Sequence, residues 1–144
     1  MVRTRHSLTV TLPLEAVFAF LSDVRNETQW RQSVVGSRYV GADAPAVGVD
    51  GETDVEMGPK SLTMRWTITE FTPGRHVAWA LDGDPWWGGG SYTVTAVTGG
   101  VRIDAALEVR LSGIARALEP LLGVQLRQGL RRDLARLDAL LPSV

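Results

Sequence analysis

The stretch PLLGVQLRQGLRRDLARLDALL, residues 120–141, decides the fold. Its leucines belong to an apolar stripe that starts upstream and recurs about every 3.6 residues, the period of one helix face: Ile114, Leu118, Leu122, Leu126, Leu130, Leu134, Leu137 and Leu141. The pattern predicts one long amphipathic helix, kinked or restarted at Pro120, because proline is best tolerated in a first helical turn. At ~1.5 Å per residue, the segment from Pro120 to Leu141 would run about 33 Å, enough to cross a small sheet.

The chain before this helix has the two-residue period of β-strands. Leu62, Met64, Trp66 and Ile68 alternate with polar residues, as do the apolar residues of 101–111. Runs of this kind are separated by short turn signals, and they predict strands at residues 6–12, 33–42, 51–57, 62–71, 76–82, 90–98 and 101–111. The short connections favour antiparallel pairing.

Two short helices are predicted directly after the first strand, at residues 13–23 and 24–30. The sheet must bury one apolar face, and the terminal helix is the only large apolar surface left to cover it. Order and periodicity therefore predict an α+β fold, in which a curved seven-stranded antiparallel sheet surrounds the long C-terminal helix. Because a straight helix cannot fill a curled sheet evenly, a gap is expected near one end.

Composition excludes several classes of function. The net charge is −1, which provides no field to attract nucleic acid or an anionic membrane. Cysteine is absent, and His6 and His76 are too far apart to form a local metal-ligand motif. No segment has the roughly 20 apolar residues of a membrane span. We therefore expect a cytoplasmic protein without a metal or other cofactor, and its single lysine among 15 basic residues suggests a bacterial source.

The order strand, two short helices, six strands and long helix resembles the SRPBCC superfamily, also called START-like, and in particular its polyketide cyclase/dehydrase branch. The matching stretches are LPLEAVFAFLSDVRNETQW (12–30), WTITEFTPGRHVAW (66–79), YTVTAVTGGVRI (92–103) and LEPLL (118–122). The resemblance covers essentially the whole chain and implies a single domain over 1–144. It also implies a helix-grip fold with an apolar cavity between sheet and helix. No catalytic residue is carried over, because the matching stretches look structural.

The two-residue alternation of the strands and the apolar face of the helix identify the side chains that would line such a cavity. The predicted ligand-binding set is Met64, Trp66, Trp79, Trp86, Tyr92, Leu118, Leu122 and Gln125. One interpretation is an aromatic-walled pocket for a ring-containing or aliphatic ligand. The other is a packed core, which is what aromatic residues at core parity usually form.

Polar candidates for chemistry are few. His6 shares parity with Leu8 and Val10, so it would point inward, where it is either a hydrogen-bonded structural group or a general acid/base. Tyr92 could orient a carbonyl or hydroxyl group of a ligand. His6 and Tyr92 are weak catalytic candidates, and neither has a partner that the sequence identifies.

The segment GDPWWGGGS, residues 83–91, has the composition of a loop with two adjacent indoles. It can be a structural hairpin, a lid that closes over bound ligand, or a contact patch for a partner or a second copy of the chain. Extending the parity of Tyr92 through the glycines predicts that Trp86 faces inward and Trp87 outward, whereas a bulge would exchange them.

These observations favour binding of a hydrophobic, aromatic or polyketide-like small molecule between sheet and helix, with cyclase or dehydratase activity left open. The alternative is a non-enzymatic carrier or accessory protein that acts through partner or homodimer contacts at the Trp86/Trp87 segment. Neither function involves nucleic acid.

Overall fold

The computed structural model describes residues 2–57, 59–82 and 86–141, without the side chains of Met57 and Trp86. The strands are β1 (Val2–Val10), β2 (Val34–Val40), β3 (Asp50–Met57), β4 (Lys60–Thr72), β5 (His76–Leu81), β6 (Trp86–Val97) and β7 (Gly100–Leu111). The helices are α1 (Leu14–Ser22), α2 (Glu27–Trp30) and α3 (Glu119–Leu140). A 3-10 turn, Val24–Asn26, precedes α2, and a 3-10 helix, Gly113–Leu118, precedes α3.

All seven strands form one antiparallel sheet in the order β1-β7-β6-β5-β4-β3-β2. Each strand from β2 to β7 pairs with its neighbour in sequence, as the short connections predict. The first strand instead pairs with the last. The predicted α+β fold with two short helices after β1 and a long C-terminal helix is therefore confirmed.

Helix α3 packs along β1 and contacts α2. Its buried leucines follow the predicted stripe and are Leu122, Leu130, Leu134 and Leu137, with Leu141 directly after the helix; Gly123 and Asp133 are buried as well. Gly123 lies against β1, where an added Cβ atom would contact a methyl carbon of Val2 at 3.4 Å.

The prediction that the upstream part of the apolar stripe lies on the buried face of the helix is wrong. Ile114 is 96% exposed and Leu118 is 59% exposed. Both lie in the 3-10 helix before α3, which has about three residues per turn instead of about 3.6, so residues at helical spacing do not stay on one face. The chain restarts as an α-helix at Glu119, with Pro120 in the first turn.

Helices α1 and α2 close one end of the sheet. Val17, Phe18 and Leu21 of α1 and Trp30 of α2 are buried in the core. The hydroxyl of Tyr39 on β2 donates to the Ser22 carbonyl oxygen at 3.1 Å and accepts from the Val24 N–H at 3.3 Å. These bonds satisfy backbone groups at the end of α1 and fix the helix pair against the sheet.

The interpretation of residues 86–90 as a loop is wrong, because they form the start of β6. Gly88, Gly89 and Gly90 pair with β5 on one side and β7 on the other. A Cβ atom would collide with the carbonyl oxygen of Glu108 at Gly88 and with that of Trp79 at Gly89. Glycine is needed here because neighbouring backbones approach closely and, at Gly88, because the backbone φ is +123°. Residues 83–85 of the same segment lie outside the described structure.

We expect Gly88→Ala to lower the free energy of unfolding strongly, although the substitution adds only one methyl group. Gly88 has φ +123°, a conformation that costs a non-glycine residue about 1–3 kcal/mol, and its Cβ atom would meet the Glu108 backbone. Urea unfolding would measure the loss. Gly41→Ala is the matched control, because Gly41 also has positive φ but open space around its Cβ position. An equal loss of unfolding free energy in the two variants would show that the β6–β7 contact at Gly88 is not close.

Candidate functional site

A cavity of about 860 Å³ lies between α3 and the sheet. This volume is within the usual range of small-molecule sites, about 300–1,000 Å³. Its apolar lining comes from several elements and includes Leu21, Val55, Ile68, Val77, Leu81, Leu107, Val109, Leu122, Leu126 and Leu130. The cavity is the gap that a straight helix leaves over a curled sheet, since α3 packs on β1 at the sheet edge.

Three aromatic residues on adjacent strands form one wall. Trp66 on β4, Trp79 on β5 and Tyr92 on β6 all line the cavity. The rings of Trp79 and Tyr92 are tilted with centroids 5.0 Å apart, a favourable aromatic geometry. The Trp66 Nε1–H donates to Thr53 Oγ1 at 2.8 Å, so its polar atom is satisfied and the indole presents a fixed apolar surface.

A polar cluster of Glu27, Arg31, Tyr92 and Asp133 lines the same cavity. Tyr92 donates its hydroxyl hydrogen to Glu27 Oε1 at 3.0 Å, and Arg31 Nη1 donates to Glu27 Oε2 at 3.2 Å. Asp133 Oδ1 accepts from the Gln32 N–H at 3.1 Å, and Asp133 Oδ2 lies 3.9 Å from Arg31 Nε. The cluster joins α2, β6 and α3 at the place where the cavity meets the short helices.

Burial and neighbouring charges shift the pKa values of Tyr92, Asp133 and Arg31. Burial raises the pKa of Tyr92 well above its ordinary value, and the negative charge of Glu27 acts in the same direction. Burial also raises the pKa of Asp133. Burial lowers the pKa of Arg31, but the surrounding negative charges outweigh that effect and the pKa rises. Arg31 therefore remains charged and Tyr92 remains a hydrogen-bond donor.

The cavity has a polar rim. Exposed side chains from the start of β2, the end of β3 and the solvent side of α3 contribute to its lining: Gln32, Ser33, Glu56, Gln125 and Arg132. A mostly apolar lining with a small number of polar groups is typical of small-molecule sites.

The structure brings most of the predicted ligand-binding residues to the cavity. Met64, Trp66, Trp79, Tyr92, Leu122 and Gln125 line it, although Gln125 is exposed at the rim. Leu118 does not line it, because the 3-10 helix turns this side chain toward solvent. The prediction that Trp86 faces inward concerns a side chain outside the described structure, but the β6–β7 register continues without a bulge to the Trp86–Leu111 pair. Trp87 is 37% exposed.

The two catalytic candidates lie in different places. Tyr92 is buried on the cavity wall and bonded to Glu27. His6 is half-buried on β1 opposite Ala105 and is not among the cavity-lining residues.

Sequence reasoning missed Glu27, Arg31 and Asp133. Two signals were present. Glu27 and Arg31 are four residues apart across α2, the spacing of a helical ion pair. Asp133 follows Leu130 by three positions and therefore shares the buried face of α3. A charge at a core position of an apolar stripe is rare unless it is paired, which makes Asp133 the clearer of the two signals.

We expect the contribution of Asp133 to stability to depend on pH. The folded protein holds the Asp133 proton more tightly than the unfolded chain, because its pKa is raised from 3.8. The contribution is therefore fully present below about pH 4 and is lost as pH rises through the raised pKa. Urea unfolding from about pH 3 to about pH 7 should show the stability of the native protein falling relative to that of Asp133→Asn. A native protein that gains stability relative to Asp133→Asn as pH rises would contradict the assignment.

In the described parts of the chain, no cluster of three or more histidine and acidic side chains could hold a metal ion. Within the same residues, no helix is long and apolar enough to cross a membrane.

The model of the family "Polyketide cyclase / dehydrase and lipid transport" matches residues 1–142. Among solved structures, the fold is similar to TTHA0849 from Thermus thermophilus, with 12% identity, a TM-score of 0.81, and coverage of 98% of this chain and 97% of that one. It is also similar to a START superfamily protein from Mycobacterium smegmatis, with 14% identity, a TM-score of 0.74, and coverage of 98% and 97%. A third similar structure is the di-domain ARO/CYC BexL from the BE-7585A biosynthetic pathway, with 14% identity and a TM-score of 0.74. The likeness covers 96% of this chain but 46% of BexL. No curated protein matches the sequence.

Proposed function

We propose that this chain, which belongs to the polyketide cyclase/dehydrase and lipid transport family, binds an aromatic or polyketide-like small molecule in the cavity between its sheet and α3. Membership in the family indicates hydrophobic ligand binding in general. The observation that supports the finer proposal is the cavity of about 860 Å³ with Trp66, Trp79 and Tyr92 on one wall.

The aromatic wall favours a planar, ring-containing ligand. Aromatic pairs in offset or edge-to-face contact gain about 0.5–1.5 kcal/mol beyond the burial of area. Trp66 and Tyr92 already have hydrogen-bond partners for their polar atoms, so a ligand ring would contact apolar faces without leaving a polar group unsatisfied. Leu122 and Leu126 of α3 also line the cavity and supply further apolar contacts.

For a cyclisation or dehydration, the cavity would hold a flexible substrate in a folded conformation away from water. Any acid or base for that step would come from the Glu27, Arg31, Tyr92 and Asp133 cluster, because among the described residues these are the ionisable groups that line the cavity without being exposed. His6 does not take part in the proposal, since it does not line the cavity.

Titration with naphthalene derivatives and 1,8-dihydroxyanthraquinone tests the proposal. We expect saturable quenching of tryptophan fluorescence and a calorimetric stoichiometry of one ligand per chain. The absence of both signals up to the solubility limit of every compound would contradict it.

A second candidate function rests on Trp87, whose indole is 37% exposed on β6. We propose as the alternative that the Trp86/Trp87 segment contacts a partner protein or a second copy of the chain, as in a carrier or accessory protein. Trp87→Ala separates the two functions. Loss of self-association or of partner binding with unchanged ligand affinity would support the alternative. Unchanged association would exclude it.

A further inference from the structure

An exposed apolar patch lies where the chain passes from β7 into α3. Ile114 and Leu118 of the 3-10 helix are 96% and 59% exposed, and Leu121 and Val124 in the first turns of α3 are 60% and 49% exposed. These four residues, the apolar patch, are half of the exposed large apolar residues in the described chain. Contiguous exposed apolar surface of this kind marks a site of contact with a membrane or another protein.

The apolar patch is separate from the ligand cavity. None of its four residues lines the cavity, whereas Leu122 and Leu126 of the same stretch do. Leu122 is buried while its neighbour Leu121 is exposed, so the two side chains lie on different sides of α3. The exposure of the patch therefore needs an explanation other than ligand binding between the sheet and α3.

Arginines without ion-pair partners flank the apolar patch. Arg110 precedes the 3-10 helix, Arg116 lies within it, and Arg127 and Arg131 follow on α3. All four are exposed, and none forms an ion pair with another described residue. Glu119 is the one acidic residue of the sequence between 110 and 131, and it accepts a hydrogen bond from a backbone N–H of β7. The net charge of −1 for the whole chain therefore conceals a positive surface at this place.

The combination of projecting apolar side chains and unpaired arginines favours an anionic lipid surface over a protein partner. A bilayer accepts a projecting side chain such as Ile114 without a matching pocket, and anionic headgroups attract arginines that lie beside the apolar side chains. A second copy of the chain would meet the same patch across a two-fold axis. That arrangement would bring the arginines of the two copies together, which is unfavourable.

We propose that the apolar patch and its four flanking arginines dock the protein on the surface of an anionic lipid bilayer. The apolar side chains enter the boundary between headgroups and acyl chains, and the arginines contact the lipid phosphates. The inference goes beyond the proposed function, because the docking surface and the ligand cavity use different residues.

Flotation with two kinds of phospholipid vesicle tests the proposal: phosphatidylcholine alone, and equal parts of phosphatidylcholine and phosphatidylglycerol. We expect the native protein to bind the anionic vesicles at least about 10-fold more tightly, since each arginine near the surface contributes to the attraction. An increase of the salt concentration from about 0.1 M to about 1 M shortens the screening length from about 10 Å to about 3 Å and should release most of the protein.

Ile114→Ser combined with Leu118→Ser should weaken binding to the anionic vesicles by about 10-fold or more, because two apolar side chains no longer enter the bilayer. Both positions are exposed, so the variant should keep the native urea midpoint. Val40→Ser combined with Val47→Ser is the matched control, since these residues are 51% and 63% exposed and lie outside the patch. It should bind the vesicles like the native protein.

Arg116→Glu should weaken binding to the anionic vesicles by about 10-fold and leave binding to phosphatidylcholine vesicles unchanged. Arg75→Glu is the matched control, because Arg75 is exposed in the turn between β4 and β5, has no ion-pair partner among the described residues and gives the same change in net charge. Its affinity for the vesicles should stay close to that of the native protein. An equal effect of the two substitutions would assign the attraction to net charge and contradict the proposed surface.

Gly129→Phe separates docking from uptake of a lipid into the cavity. Gly129 lines the cavity and is not part of the apolar patch, so this variant should bind anionic vesicles like the native protein. Loss of vesicle binding in Gly129→Phe would place the lipid in the cavity and overturn the proposal.

Three further results would overturn the docking surface. The first is an absence of binding to the anionic vesicles, and the second is an equal loss of binding in the two double serine variants. The third is a dimer in sedimentation velocity that Ile114→Ser combined with Leu118→Ser dissociates, because the patch would then contact a second copy of the chain. We expect a monomer for the native protein and for this variant.

Discussion

Replacing Glu27 with alanine is expected to lower the free energy of unfolding by about 3 kcal/mol or more, because one member of a buried ion pair is lost. Glu27 is 4% exposed, and its two carboxylate oxygens accept hydrogen bonds from Tyr92 and Arg31. Removal leaves the Arg31 charge buried beside Asp133 at 3.9 Å, without a hydrogen bond between them. Urea unfolding followed by circular dichroism would measure the loss.

Three variants identify the source of that loss. Glu27→Gln keeps an acceptor for the Tyr92 hydroxyl but removes the charge, so its cost should be intermediate. Arg31→Met combined with Glu27→Ala removes both charges and should recover part of the stability, since replacing a buried ion pair by apolar groups is often close to neutral. Glu108→Ala disrupts the exposed Arg3–Glu108 pair and should cost less than about 1 kcal/mol. A loss for Glu27→Ala as small as that of Glu108→Ala would show that the cluster is hydrated.

Gly129→Phe is expected to abolish ligand binding while the protein stays folded. Gly129 lies on α3 and lines the cavity, and no atom lies within 4 Å of the position that a Cβ atom would take. A phenyl group there can enter the cavity without displacing the chain and would occupy the space of a ligand ring. We expect affinity for 2-naphthol to fall by about 100-fold or more, which corresponds to about 2.7 kcal/mol of binding free energy.

Gly129→Ala is the matched control for this experiment. Alanine leaves the cavity open, so the affinity should stay close to that of the native protein. Its helix propensity is better than that of glycine by about 1 kcal/mol, so the midpoint of urea unfolding should rise. Native-like affinity in the folded Gly129→Phe variant would place the ligand somewhere other than the cavity.

The elements that carry a regular apolar period could be predicted from the sequence. Strand β4 alternates over Leu62 to Ile68, and α3 carries leucines at helical spacing from Leu122 to Leu137, so the period itself specified which face is buried. The same parity brought Met64, Trp66 and Tyr92 to the cavity wall.

The errors arose where a local pattern has two physical causes. Leu118 has helical spacing, but the residues before Pro120 adopt a 3-10 helix, in which that spacing no longer maintains a face. Gly88–Gly90 resembles a loop in composition, yet these glycines allow β5 and β7 to approach β6 closely. Composition alone does not separate a glycine that bends the chain from one that accommodates a neighbouring backbone.

The polar cluster depends on tertiary contacts between elements that are far apart in the sequence. Tyr92 and Glu27 are 65 positions apart and form a hydrogen bond only because α2 covers the end of the sheet. Single-residue patterns can indicate that Asp133 is buried, but its pairing with Arg31 depends on how α3 crosses over α2.

The position of the bound ligand is the most direct test of a binding site between the sheet and α3. Nuclear magnetic resonance of the protein saturated with 2-naphthol would detect contacts between the ligand and nearby hydrogens. We expect contacts from the naphthol ring to the Trp79 indole and to methyl groups of Val77 and Leu122, which line the cavity. Contacts confined to the exposed Ile114 and Leu121 side chains would contradict a ligand site between the sheet and α3.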